Sequence, residues 1–385
     1  MLVSADIKPT MPTAGQETAT WKNFWSGLTP ESEIRMWDFY GLRHWILKYV
    51  PRHGKTLEAG CGLGRYVFYL SHLGINIEGL DFQRETIELL NAWQRDCGYE
   101  CNFLVGDVAR LQYPSDSLSG YISLGVVEHF IEGPQLPLQE AFRALRPGGI
   151  AIITTPAASF AIHIQRTVRF FKRIAKKVLN RKISPELFFQ YWYTPKVLAQ
   201  FVEGAGFHVS RAGAAELLYA FFELSEFRSE RILGDSMSVR IANAFENSFL
   251  SRYGSQSIVI GVKTADRMHC FLCGELGAIP PSLEHFDVPI CEGCMRNPLS
   301  RYYVTGAVPA YNLPYRISPK IEKPQTLQCE FCKRAYVSDR VFERFGFAKN
   351  ACNDCLRRKE INIVLSNEHV QPIWRDRNSS KRNEC

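Results

Sequence analysis

The sequence predicts an α/β protein with a doubly wound sheet, followed by two small cysteine-rich modules. Residues 55–156 alternate between strand-like and helix-like segments, which is typical of a parallel sheet covered by helices on both faces. A glycine-rich turn at 60–64 joins the first strand to the first helix. Eight of the 12 cysteines form four C-x2-C pairs after residue 269, a spacing that in a reducing compartment indicates metal more often than disulfides.

Length and composition limit the classes of protein. A chain of 385 residues predicts two or three domains. The net charge of +7 permits anionic partners without requiring them. No apolar run is long enough to span a bilayer, and the first twenty residues lack a basic-then-apolar signal pattern. We therefore expect a cytoplasmic protein, with membrane association left open.

The composition divides the chain into six segments. The α/β domain opens with a helical cap that starts at Thr29-Pro30-Glu31, with Thr as N-cap and Pro at the first helical position. The cap ends near Pro51. The segments are a disordered lead (1–20), the α/β domain (21–265), a first four-cysteine module (266–300), a linker (301–325), a second four-cysteine module (326–365) and a charged tail (366–385).

Hydrophobic periodicity places the elements of the α/β domain. Tyr193-Thr194-Pro195 is a helix start, and the helix is expected to run to the glycines at 204–206 before a strand at 207–210. Residues 214–250 are interpreted as a helical insertion before a last strand at 257–263. The earlier strands are predicted at 56–59, 75–80, 102–105, 119–124 and 149–154, with clear helices at 83–96 and 135–145.

The glycine turn distinguishes between two kinds of nucleotide ligand. A dinucleotide fingerprint, G-x-G-x-x-G, would require glycine at position 65, where this chain has Arg65. The chain has instead E-x-G-x-G-x-G over 58–64, and further motifs follow in order: an acid at Asp81, then Phe103–Val108, Ser123–His129 and Arg143–Thr154. Over residues 21–263 this series resembles the class I S-adenosylmethionine (SAM) methyltransferases, whose sheet is Rossmann-like.

The resemblance implies a SAM site along one rim of the sheet. Asp81 would bind the ribose hydroxyls, because a carboxylate accepts hydrogen bonds from neighbouring donors. The segment at 103–108 would contact the adenine. Cys61 is interpreted as a small side chain packed in the glycine loop rather than a nucleophile. The implied cofactor-binding residues are Glu58, Gly60, Cys61, Gly62, Gly64, Tyr66, Asp81, Phe82, Asp107, Val108, Ser123, Leu124 and Gly125.

The resemblance also implies transfer of the SAM methyl group to a nucleophile. His129 is the first candidate for a general base, because it follows the fourth strand at the rim. Glu128 is the second, and a reaction without a dedicated base is the alternative. The fourth-strand segment lacks the Asn/Asp-Pro-Pro-aromatic motif of exocyclic-amine methyltransferases, which argues against adenine methylation in nucleic acids.

Three hypotheses remain for the function. The main one is methyl transfer to an oxygen or nitrogen of a small molecule or glycan, which is lipid-linked in one version. The second is an RNA or protein methyltransferase whose cysteine modules dock the macromolecule. The third is a SAM-binding scaffold without turnover. A basic amphipathic helix at 164–182 indicates contact with an anionic membrane, a lipid-linked phosphate or nucleic acid. The alternative is a solvated helix whose apolar stripe packs over the active site.

Each cysteine module supplies four thiolates with the spacing of a zinc ribbon or treble clef. Two C-x2-C knuckles complete a tetrahedron and leave no open position for substrate, so the sequence predicts two structural Zn²⁺ ions. Docking of a protein partner is the main expectation for the modules, and nucleic-acid binding is less favoured. The first set is Cys270, Cys273, Cys291 and Cys294, and the second is Cys329, Cys332, Cys352 and Cys355. Spacing alone does not fix this pairing, so pairing between the modules is the alternative.

Overall fold

A computed structural model of the protein describes nine stretches of the chain. The predicted disordered lead, the basic helix at 164–182, the insertion after 216, the cysteines of the second module and the charged tail lie outside them. The described residues are 28–30, 33, 41–97, 101–158, 190–216, 252–279, 282–295, 325–328 and 335–338.

Seven strands form one mixed sheet in the order β3-β2-β1-β4-β5-β7-β6. Strands β1 to β5 pair in parallel, whereas β7 is antiparallel to both β5 and β6. The order reverses between β1 and β4, which is where ligands bind in open α/β sheets. The strands are β1 (Thr56–Ala59), β2 (Ile77–Asp81), β3 (Asn102–Val105), β4 (Leu118–Leu124), β5 (Leu145–Pro156), β6 (His208–Ala215) and β7 (Gln256–Val262).

The described helices agree with the predicted alternation, and α3 and α4 lie within a residue of their predicted bounds. The predicted helix start at Thr194 is confirmed, because its side-chain oxygen accepts a hydrogen bond from the Val197 amide at 3.3 Å. The helices are α1 (Leu42–Tyr49), α2 (Arg65–His72), α3 (Arg84–Cys97), α4 (Gln135–Ala144), α5 (Pro195–Gly204), α6 (Ser282–His285) and α7 (Glu292–Met295), with a 3₁₀ turn at Val127–His129.

Three predicted boundaries were wrong. The second strand begins at Ile77 rather than 75. Strand β5 begins at Leu145, so it includes the segment predicted as a turn before residue 149. An irregularity in the β4–β5 pairing between Leu118 and Gly120 accommodates this early start. Residues 214 and 215 continue β6, because they pair with Ser257 and Gln256 of β7, and do not begin a helix.

The central strands are buried on both faces, as the apolar runs of the sequence predict. All four residues of β1 are buried, and Tyr121, Leu145 and Ile153 in β4 and β5 are fully enclosed. The core packs the sheet against α4 and α5, whose Leu138 and Leu198 are also fully enclosed. Within the described part of the chain, no helix has the length and apolar character needed to cross a bilayer.

The chain divides into two compact units, residues 1–71 with 75–292 and residues 72–74 with 293–385. The first unit contains the seven-stranded sheet and a short hairpin of β8 (Met268–His269) and β9 (Leu276–Ala278). In the second unit, β10 (Gln325–Gln328) and β11 (Ala335–Ser338) pair antiparallel. The boundary crosses the four-residue helix α7.

Candidate active site

The glycine turn after β1 has a backbone that side chains cannot follow. Gly60, Gly62 and Gly64 have φ angles of +77°, +50° and +74°, in the left-handed region that favours glycine. A Cβ on Gly60 would lie 2.4 Å from a methyl group of Val126, and one on Gly64 would lie 2.9 Å from the ring of Phe103. The turn therefore stays open and presents backbone amides at the start of α2, where they suit an anionic group.

Asp81 links the glycine turn to the end of β2. One carboxylate oxygen accepts a hydrogen bond from the Gly62 amide at 3.0 Å, and the other accepts one from the Gln83 amide at 2.9 Å. Each oxygen has a second lone pair, so both can still accept from a ligand. Burial raises the pKa of this carboxyl, and the amide hydrogen bonds oppose that rise. Asp81 thus links the glycine turn to the end of β2.

An apolar surface lies beside Asp81. Phe82, which follows the buried Asp81, is 50% exposed, and Val105 at the end of β3 is 37% exposed. Val108 is buried, whereas Asp107 is exposed and accepts a hydrogen bond from the Ala109 amide at 2.8 Å. An exposed aromatic ring next to an apolar strand end can stack on a flat heterocycle.

The segment at the end of β4 contains the candidate catalytic residues. Ser123 is fully buried, Leu124 and Gly125 are half-buried, and Gly125 has φ +71°. The 3₁₀ turn that follows places His129 Nε2 3.8 Å from a carboxylate oxygen of Glu128. Glu128 is only 1% exposed, and burial raises the pKa of its carboxyl to about 8.

Two further groups of the glycine turn are deeply buried. Burial raises the pKa of the Glu58 carboxyl to about 8, against a lowering by the Arg65 charge. Burial, followed by the charges of Asp81 and Glu58, raises the pKa of the Cys61 thiol well above its usual range. A thiol held in its protonated form is a poor nucleophile, in line with the packing role predicted for Cys61. Tyr66, at the start of α2, is also buried.

The buried Glu58 makes the stability of the protein depend on pH. Because its pKa is raised in the folded state, the unfolded chain releases this proton at lower pH, and stability is lost as pH rises from about 5 through about 8. We expect the urea midpoint of unfolding to fall less steeply over this pH range in Glu58→Gln than in the wild type. Glu88→Gln, an exposed change on α3, is the control, and an unchanged slope in Glu58→Gln would contradict the buried, protonated carboxyl.

The structure adds contacts that sequence reasoning missed. The Arg65 guanidinium forms an ion pair with Glu33, which is 6% exposed, so Glu33 lies against the start of α2. The Tyr191 amide donates to the Glu128 carbonyl at 3.0 Å, and the Tyr191 hydroxyl donates to the Ile131 carbonyl at 2.8 Å. The aromatic run before Thr194 was the available signal, but its partner could not be inferred.

The predicted first metal site is brought together in space. The ligand atoms of Cys270, Cys273, Cys291 and Cys294 all lie within 4.8 Å of one another, and none of the four is in a disulfide. The Cys291 amide donates to Cys270 Sγ at 3.3 Å, the polarity expected if that sulfur is a thiolate. Four clustered sulfurs match the donor set that Zn²⁺ prefers in structural sites.

Comparison with known proteins agrees with this geometry. Residues 57–153 match the family model described as a methyltransferase domain. This segment is a methyltransferase domain. The match spans β1 to β5 and contains the glycine turn, Asp81 and the 3₁₀ turn.

The curated relatives match this domain rather than the whole chain. A protein named as a probable S-adenosylmethionine-dependent methyltransferase from Mycolicibacterium smegmatis is 31% identical over 101 residues, 26% of this chain and 37% of that protein. The ubiquinone/menaquinone biosynthesis C-methyltransferase of Desulfotalea psychrophila is 27% identical over 169 residues, 41% of this chain and 67% of that enzyme. The chain thus spans about a third to two thirds of the length of these two relatives.

Among solved structures, the phosphoethanolamine N-methyltransferase 2 of Haemonchus contortus, in complex with SAM, is 13% identical to this chain. Its TM-score is 0.40, over 64% of this chain and 60% of that one. The strand order of the sheet, rather than this distant likeness, identifies the fold.

Proposed function

We propose that the protein binds SAM at the rim formed by the glycine turn and Asp81 and transfers its methyl group to an oxygen or nitrogen of a small-molecule or glycan acceptor. The observation on which this depends is the pair of amide hydrogen bonds that fix Asp81 beside the open turn. One edge of the sheet thereby offers amides for an anion, acceptors for a sugar and the exposed Phe82 for a base.

The methyl group of SAM is already activated, so the protein mainly has to position the nucleophile behind it. His129 receives the acceptor proton in this proposal. Glu128 acts as a positioning residue, because its ionised carboxylate at 3.8 Å stabilises the imidazolium that forms. Since the pKa of Glu128 is raised to about 8, the carboxylate stabilises the imidazolium more strongly as pH rises through that value.

A small-molecule acceptor is supported by the relatives, since the Desulfotalea psychrophila enzyme is named for quinone biosynthesis.

Membrane or lipid-phosphate contact through 164–182 remains a prediction outside the described residues. The cysteine sets are proposed to hold two structural Zn²⁺ ions, one in the described cluster and one in the second module, with protein docking as the expected role of that second module.

Labelled SAM incubated with the full chain and cell extract tests the proposal. We expect label in a low-molecular-mass or glycan product, with S-adenosylhomocysteine formed in step. At a SAM concentration below the wild-type dissociation constant, Asp81→Ala should form about 5- to 150-fold less of both. Label recovered in protein or RNA would contradict the small-molecule acceptor and favour macromolecular substrates. S-adenosylhomocysteine no higher than in extract without the added protein would contradict methyl transfer and favour a SAM-binding scaffold.

A further inference from the structure

The part of the first cysteine module that belongs to the first compact unit, residues 266–292, packs on the edge of the sheet where β1 and β5 begin. Gly148 of β5 has φ +81°, and a Cβ there would lie 2.5 Å from the carbonyl oxygen and 2.8 Å from the amide nitrogen of His269. The Gly148 amide also donates to the Lys263 carbonyl at 2.7 Å. The backbone of the module therefore lies directly against the sheet, where a side chain would not fit.

The knuckle of the first cysteine pair makes a second contact with this edge. His53, which precedes β1, places its Nε2 atom 2.5 Å from the Leu272 carbonyl oxygen. Gly274 has φ +76°, and a Cβ there would lie 2.9 Å from Cβ of His53. The loop that contains Cys270 and Cys273 is thus fitted to the segment leading into β1.

Asp287 makes a third contact, from the loop between the two cysteine pairs. Its carboxylate accepts from the Tyr49 hydroxyl at 2.9 Å and from Arg211 Nε at 2.7 Å, and it lies 3.4 Å from Lys48 Nζ. The Asp287 side chain is 16% exposed. A half-enclosed carboxylate with three donors is a stronger link than an isolated surface ion pair. It joins the module to α1 and β6.

In the described residues of the module, two backbone contacts join the loop of the first cysteine pair and the β9 hairpin strand to the segment before the second pair. The Phe271 amide donates to the Pro289 carbonyl at 2.8 Å, and Ala278 forms a single β-bridge with Cys291. A segment of this size cannot bury a large core. A metal bound by the four sulfurs would therefore fix the spacing between the loop with Leu272 and the loop with Asp287.

We propose that the metal of the first cysteine cluster is a structural staple of the methyltransferase domain, bound at the edge of the sheet opposite the cofactor site. The glycine turn follows β1, whereas His53 precedes it. Six residue steps separate Ile150 from Pro156 in β5, a span of about 20 Å. The staple therefore stabilises the sheet and takes no part in binding SAM or the acceptor. This inference rests on the proposed zinc site and not on the proposed methyl transfer.

The first test removes one ligand of the cluster from the full chain. We expect Cys291→Ser to lower the zinc content by one equivalent per chain. We also expect it to lower, by at least about 5 °C, the midpoint of the thermal unfolding transition that S-adenosylhomocysteine shifts in the wild type. Cys101→Ser, a half-buried cysteine outside the cluster, should retain both values. Unchanged zinc in Cys291→Ser would overturn the site, and lost zinc with an unchanged transition would overturn the staple while leaving the zinc site intact.

The second test keeps the four metal ligands and weakens the contact between the module and the sheet. Asp287→Asn should retain the wild-type zinc content but lower the same transition by about 2–4 °C, and the exposed Asp266→Asn should change neither. An unchanged transition in Asp287→Asn would contradict the proposed link between the cluster and the sheet. Loss of methyl transfer in wild-type protein would leave this inference untouched, because zinc content and thermal unfolding are measured without an acceptor.

Discussion

Replacing Asp81 with alanine is expected to weaken SAM binding by about 1–3 kcal/mol, a loss of about 5- to 150-fold in affinity. The side chain has two roles that are lost together. It accepts the amide hydrogen bonds of Gly62 and Gln83, and it would accept from the ribose hydroxyls. Without it, two amides lose their acceptor, and the glycine turn is held to β2 only by the backbone hydrogen bonds from Gly60 and Cys61 to the Leu80 carbonyl.

Calorimetry on matched variants checks this expectation. Glu85→Gln, an exposed acid on the adjoining helix α3, should bind SAM as the wild type does. Asp81→Asn keeps one acceptor oxygen, so its affinity should lie between those of the wild type and Asp81→Ala. A wild-type affinity in Asp81→Ala, with the protein still folded, would contradict the role of Asp81 in the cofactor site.

Replacing His129 with alanine is expected to lower the methyl-transfer rate by about 10²–10⁴-fold while SAM affinity stays within error of the wild type. The imidazole is at the end of β4 beside the cofactor rim, and it lies 3.8 Å from the Glu128 carboxylate. The rate is measured on the product labelled in cell extract. A loss in SAM affinity equal to the loss in rate would show that His129 only shapes the pocket.

The pH profile separates the two residues of the 3₁₀ turn. Because the Glu128 carboxyl ionises only near pH 8, the wild-type rate should rise about tenfold between pH 7 and pH 9. Glu128→Gln should remove that rise, whereas Glu132→Gln, an exposed change four residues later, should keep it. A rise that persists in Glu128→Gln would contradict the positioning role.

Local chemistry made the convergence of the glycine turn and Asp81 predictable from the sequence. Only glycine tolerates the backbone at Gly60 and Gly64, and an acid ending a buried strand, as Asp81 does, has few structural uses. Because parallel strands end at one edge, these residues had to converge. The cysteine spacing likewise predicted the cluster that the described residues form.

Contacts between distant segments were not predictable. Nothing local indicates that Asp287 meets Arg211 and Tyr49, since such pairs depend on the complete tertiary fold. The sequence likewise did not predict that the first module lies at the edge of the sheet opposite the glycine turn. Gly148 was a partial sequence signal for this contact. The backbone of His269 lies against it and leaves no room for a side chain.

Isothermal titration of the full wild-type chain with SAM tests the central claim most directly. The account predicts one SAM bound per chain, displaced by S-adenosylhomocysteine and unaffected by NAD, with the affinity reduced in Asp81→Ala. Absence of SAM binding by folded, zinc-loaded protein, or competition by NAD for the same site, would contradict it.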